Sequence, residues 1–204
     1  MSTIIFLQIF FVCLLGAMSP GPSMVVVINN AIFKNRYHGI LTSVGHGIGI
    51  GIYALFAVLG IGLIIKTSFI FFNVLKVISA IFLIFLGIKS IIDKKKLNFG
   101  IKNIKGGVTS FFQGFSISIL NPKILVWFVA IYSQFMTENN DFIFNIYLIL
   151  TAGIIDMSWY IFLTLIVTSE KVLKFFENKI HFLGKFVGMI FIILGFILLI
   201  DILI

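Results

Sequence analysis

Six apolar runs, each long enough to cross a bilayer, limit what this chain can fold into: residues 4–32, 39–65, 69–92, 107–136, 142–168 and 183–203. About 20 apolar residues in a helix span the ~30 Å hydrocarbon layer, and the stretches between the runs are too short for a water-soluble domain. With 60% hydrophobic and 11% charged residues, the chain carries more apolar surface than a soluble core can hide. The predicted fold is an all-α integral membrane protein, one transmembrane domain over residues 1–204. The first run has no basic segment before Ile4 and resumes with Met24-Val25-Val26-Val27-Ile28 after an interruption, so it reads as a span and not as a cleaved signal.

That interruption is Ser19-Pro20-Gly21-Pro22-Ser23. The chain has three prolines, and the third, Pro122 in Asn121-Pro122-Lys123, breaks the fourth run in the same way. A proline inside a helix removes one backbone hydrogen bond, which here predicts free carbonyls at Gly16, Met18 and Ser118. Such groups are costly in hydrocarbon unless protein, water or ligand satisfies them. Both breaks are therefore expected to face the interior, with broken first and fourth helices.

The formal net charge of +8 reflects topology and not nucleic acid. Eleven of the fifteen Lys and Arg residues lie on the connections after the first, third and fifth runs: Lys34 and Arg36, then Lys94, Lys95, Lys96, Lys102 and Lys105, then Lys171, Lys174, Lys179 and Lys185. Positive connections stay in the cytoplasm, so both termini are expected outside. Lys76 and Lys89 lie close enough to span ends to reach the interface. The single Cys13 reads as a small apolar side chain, since it has no partner for an internal disulfide.

The second half of the chain resembles the first. Pro122 follows Pro20 by 102 residues, and Leu194-Gly195 follows Leu86-Gly87 by 108. Three spans per repeat is an odd number, so the two repeats must enter the membrane from opposite sides, as in many secondary transporters. Repeat one covers about residues 1–92, the basic connection 93–106, and repeat two about 107–204. In the second span Gly45 and Gly49 form one small-residue pair and Gly47 and Gly51 another, on nearly opposite helix faces, so neighbours are expected close on both sides.

Of seven acidic residues, Asp156 alone sits in a span interior, where an idle carboxylate costs about 2.5–3.5 kcal/mol. It is the candidate proton carrier, with His46 second. Lys123, directly after the second break, is a candidate functional cation, the alternative being an ion pair with Asp156.

These motifs resemble the LysE/RhtB family of bacterial amino-acid exporters: Pro20-Gly21-Pro22, then Gly45, Gly49 and Gly60, then Leu86-Gly87-Ile88-Lys89, Asn121-Pro122-Lys123 with Gln134-Phe135, and Gly188 and Gly195. Ser23 and Ser133 depart from the family pattern, and Ile50 stands where many members carry an acidic residue, 106 positions before Asp156. The resemblance implies a secondary exporter of an amino acid or a close derivative, proton-coupled, in the bacterial inner membrane, with an amino acid and the bilayer as partners and a homodimer left open. A divalent metal-cation exporter is the alternative, although Asp156 and His46 supply few hard ligands. No enzyme activity, cofactor or metal is expected. The transport site is expected at Ser19, Pro20, Gly21, Pro22, Ser23, Asn121, Pro122 and Lys123, with Ser116 completing the lining and Asp156 or His46 holding the proton.

Overall fold

The structure is a computed structural model that describes residues 3–92, 107–137 and 141–203. The basic connection 93–106 and Glu138 lie outside the described residues. Eight helices follow in order: α1 (Thr3–Met18), α2 (Pro22–Phe33), α3 (Arg36–Thr67), α4 (Phe69–Ile92), α5 (Gly107–Ile119), α6 (Pro122–Phe135), α7 (Phe142–Val167) and α8 (Glu170–Leu203). Helices dominate because lipid offers no partner to backbone N–H and C=O groups, and a helix satisfies them within one segment.

Four of these helices are long and apolar enough to span a membrane, and two bent pairs bring the number to six if each pair is one span. The bends fall at the prolines, 67° between α1 and α2 and 56° between α5 and α6. The helix starts are encoded locally. Asn35 Oδ1 accepts from His38 N at 3.1 Å to start α3, and Asp141 Oδ1 accepts from Phe144 N at 2.7 Å to start α7. The expected sixth run is extended: α8 begins at Glu170, so Lys171, Lys174, Lys179 and Lys185 ride on a helix and not on an open loop.

The packing is governed by small residues. A Cβ built on Gly45 would collide with the Phe111 carbonyl, and one on Gly114 with the Thr42 carbonyl, so α3 and α5 touch backbone to backbone. On the opposite face of α3, a Cβ on Gly47 would stand 2.9 Å from the Gly153 carbonyl of α7. Neighbours on both sides of α3 are thus as close as the two glycine pairs predict. α4 lies along α8 through Gly87, Gly188 and Gly195. Outward, α3 and α4 present Phe56, Leu59, Leu63, Ile70 and Phe71, each more than half exposed, which suits a lipid-facing surface. Lys76 differs from expectation: it is buried two turns into α4, with Nζ 5.6 Å from the centre of the Phe72 ring one turn before it.

Candidate functional site

The two breaks and the span-interior carboxylate meet at one cavity of about 60 Å³. At roughly 10–15 Å³ per water position this is room for a few waters. Ser19, Gly21, Pro22 and Ser23 line it from the first break, Asn121 and Lys123 from the second, and His46 and Asp156 from α3 and α7. Of the expected site residues, Pro20 and Pro122 stand apart from the wall: they make the bends without lining the space. Ser116 is exposed on α5 and does not contribute to the lining, a correction that follows from the helical register, which turns Ser118 inward instead.

The acid and the histidine form a pair. His46 Nδ1 lies 2.6 Å from Asp156 Oδ2, with the residues only 2% and 5% exposed. Among the described residues this is the ion pair formed by Asp156, so the alternative pairing of Asp156 with Lys123 is not made. With Nδ1 facing the carboxylate, Nε2 is left buried and without a partner, and the Tyr160 ring packs edge-on against the imidazole, 4.8 Å between centroids. A carboxylate held this way fixes the ring's orientation.

Lys123 Nζ instead donates to Ser19 Oγ, so the side chain of the second break reaches across to the first. The freed carbonyls are fewer than the prolines alone predict. Ser19 N turns back to the Gly16 carbonyl at 3.2 Å and Asn121 N to the Ser118 carbonyl at 3.4 Å, while the Met18 carbonyl receives no backbone donor among the described residues. Each break tightens by one residue, and the shortened turn recovers a bond that the long helix would have lost. Besides the Met18 carbonyl, what stays open is on the donor side. α2 starts at Pro22 with Gly21 as an N-cap that offers no side-chain bond, and Ser23 Oγ is buried without a partner.

Tyr160 and Gly16 also line the cavity, and the rest of the wall is apolar: Cys13, Ala17, Ile50, Ile124, Phe128 and Ala152. Trp127 also lines the cavity, and a spacing of four residues from Lys123 on α6 was the signal that could have found it. A second polar cluster, which the sequence reading did not single out, ties α2, α3 and α5 nearer the Lys34 end. Asn30 Nδ2 donates to Thr42 Oγ1 and to Gln113 Oε1, both at 2.8 Å, and Ser110 Oγ meets Lys34 Nζ and His38 Nδ1, both at 3.0 Å. Among the described residues no three of His, Cys, Asp and Glu converge as metal ligands.

The structure is thus a helical bundle of membrane-spanning length whose two proline breaks meet at one small cavity. The family profile of the LysE type translocators matches residues 14–202; the chain belongs to this family. An uncharacterized membrane protein YrhP of Bacillus subtilis is 30% identical over 173 residues, 78% of this chain and 80% of that protein. A leucine efflux protein of Salmonella typhimurium is 27% identical over 119 residues, 57% of this chain and 56% of that protein. No solved structure gives a significant match.

Proposed function

We propose that the protein is a proton-coupled exporter of an amino acid with an apolar side chain, in the bacterial cytoplasmic membrane with both termini outside. The observation that carries this reading is one cavity in which a half-buried cation, a buried carboxylate–imidazole pair and an uncapped helix N-terminus meet. These are the complements of a zwitterion. The Asp156–His46 pair attracts an ammonium group, while Lys123 Nζ and the free amides at the start of α2 attract a carboxylate. The apolar wall leaves an aliphatic side chain among groups of its own kind, consistent with the leucine efflux relative.

Coupling follows from competition. A proton bound to the Asp156–His46 pair neutralises the carboxylate and removes its attraction for an ammonium group, so proton and substrate exclude each other. Opened inward, the site exchanges its proton for a substrate; opened outward, it releases the substrate and takes up a proton. One proton enters for each amino acid that leaves.

The two halves are read as inverted repeats. The Gly47 and Gly153 pair, 106 positions apart, is in reciprocal contact, each backbone carbonyl near the other's Cβ position at 2.9 and 3.1 Å. The approach of Gly87 to the Gly188 carbonyl, 2.5 Å, has its counterpart 108 positions on in that of Gly195 to the Ala80 carbonyl, 2.9 Å. A two-fold relation between the repeats produces such matched pairs.

Proteoliposomes containing wild type or Asp156→Asn, assayed for labelled leucine exchange with and without a pH gradient, test the coupling. The wild type should accumulate label on the acidic side, and the variant should exchange without responding to the gradient. A variant that still responds as wild type does moves the proton from Asp156 to His46.

A further inference from the structure

Trp127 lies on α6 one helical turn after Lys123, so the two side chains share a face, and both line the central cavity. Its indole Nε1 is buried and has no hydrogen-bond partner. Tryptophan in membrane proteins is favoured at the water interface, where the N–H finds an acceptor. Here it stands five residues after the break and eight before the end of α6. A buried donor left unsatisfied at that depth is destabilising, and the fold positions it closely: a Cβ on Gly16 of α1 would stand 2.7 Å from Cζ2 and 2.9 Å from Cε2, the ring carbon that bears Nε1. Only glycine at that position lets the indole edge lie where it does. Phe128 packs edge-on against the ring from the following residue, 5.0 Å between centroids, so the ring is held on two sides.

We propose that Trp127 is a substrate-binding and specificity-determining residue whose indole N–H, together with Lys123 Nζ, holds the carboxylate of the transported amino acid, with Gly16 as the seat that positions the ring. The assignment rests on the exporter reading above. Lys123 supplies charge without direction, because an ammonium rotates freely, whereas an indole N–H is a single donor fixed by its ring. The pair therefore selects a carboxylate in one orientation and leaves the side chain to the apolar wall. Compounds that retain the ammonium and side chain but lack the carboxylate lose both donors' contribution.

The test replaces only the N–H. In a Trp159→Phe background, 3-benzothienylalanine introduced at position 127 keeps the ring's size and shape with sulfur in place of N–H, and Trp127→Phe is the genetic counterpart. Labelled leucine is the probe, in counterflow across proteoliposomes. A hydrogen bond to a charged group contributes about 1.5–3 kcal/mol, so KM for leucine should rise roughly tenfold or more in both variants, with the maximal exchange rate changed much less. An unchanged KM with the isosteric replacement overturns the assignment while leaving the exporter reading intact, since the wild type still carries leucine. No counterflow by the wild type overturns the exporter reading, and the assignment with it. Gly16→Ala gives an independent check, because displacement of the ring should raise KM in the tryptophan protein and have little further effect on the isosteric variant.

Discussion

The two breaks are made by the same chemistry and finished differently. Each places a proline at the first turn of the following helix, α2 or α6, where its missing N–H is harmless. At the second break Asn121 precedes that proline, in the ordinary N-cap region at φ −87° and ψ 105°, and its side chain accepts from Lys123 N at 3.1 Å. At the first break Gly21 occupies the same place in a fully extended conformation, φ 178° and ψ −172°, with no side chain to cap. The second break is thus closed upon itself and contributes its cation, which crosses to Ser19. The first keeps its donors open. One break supplies a cation and the other an uncapped helix terminus, the two groups proposed to hold the substrate carboxylate.

The largest effect expected from this difference is at Lys123. Lys123→Met removes the cation while keeping the side chain's length, and truncating one partner of a hydrogen-bonded charge pair, here the one proposed with the substrate carboxylate, costs about 2–5 kcal/mol. Leucine exchange should fall at least about thirtyfold. Since Lys123 holds no ion pair among the described residues, the thermal stability of the purified variant should hold or rise. A loss of stability with normal exchange would make Lys123 a structural tie and leave the second break without a functional role.

Asn121→Ala comes next, and acts on the fold more than on transport. Loss of a side-chain cap costs about 0.5–2 kcal/mol, so the melting temperature in detergent should fall while KM for leucine changes less than it does in Lys123→Met. Equal effects on KM from both substitutions would mean that the cap positions the lysine and that the two breaks are less distinct than their geometry indicates.

The positions of the breaks were legible because proline acts locally and a long apolar run has few other ways to end. The spans were legible for the same reason: hydropathy and length decide them. Harder to read were contacts across the bundle. Asp156 and His46 each stand out as polar residues inside spans, but their separation of 110 positions carries no signal that they touch; the facing glycines of α3 and α7 make the pairing. The carbonyls at Gly16 and Ser118 were expected to be free because proline's missing donor is visible in the sequence, whereas the tightened turn that replaces it forms only in three dimensions. Trp127 looked like one more apolar residue of α6. The role proposed for it depends on Gly16, from another helix, and on a cavity that no single segment encloses. The network around Asn30, Thr42 and Gln113 escaped for a similar reason: each residue alone is an ordinary polar group near a helix end.

A cap can also be added where it is missing. Gly21→Asn gives the first break the residue that finishes the second, and an Asn in place of Gly at an N-cap stabilises by a few tenths of a kcal/mol. Its side-chain oxygen would then occupy the amides at the start of α2 and compete with the substrate carboxylate. Leucine exchange should fall several-fold while stability holds or rises slightly. Stability and transport moving down together would instead mean that the extended conformation at Gly21 rejects the larger side chain.

Gly21→Ala separates these causes and is the smallest change. The backbone at Gly21 is extended and open to any residue, and a Cβ there would have its nearest neighbour at 4.0 Å, the Ser19 carbonyl, so neither strain nor collision follows. Alanine adds no acceptor and cannot cap α2. Its methyl group does enter the wall of the cavity, because Gly21 lines it. Stability should therefore stay within about 0.5 kcal/mol of wild type, as for a surface substitution, and exchange should fall by less than it does in Gly21→Asn. If alanine and asparagine reduce exchange equally, volume in the cavity is what matters and the vacant helix terminus is not a carboxylate site; if alanine leaves exchange intact while asparagine lowers it, the open donors of the first break are what the substrate uses.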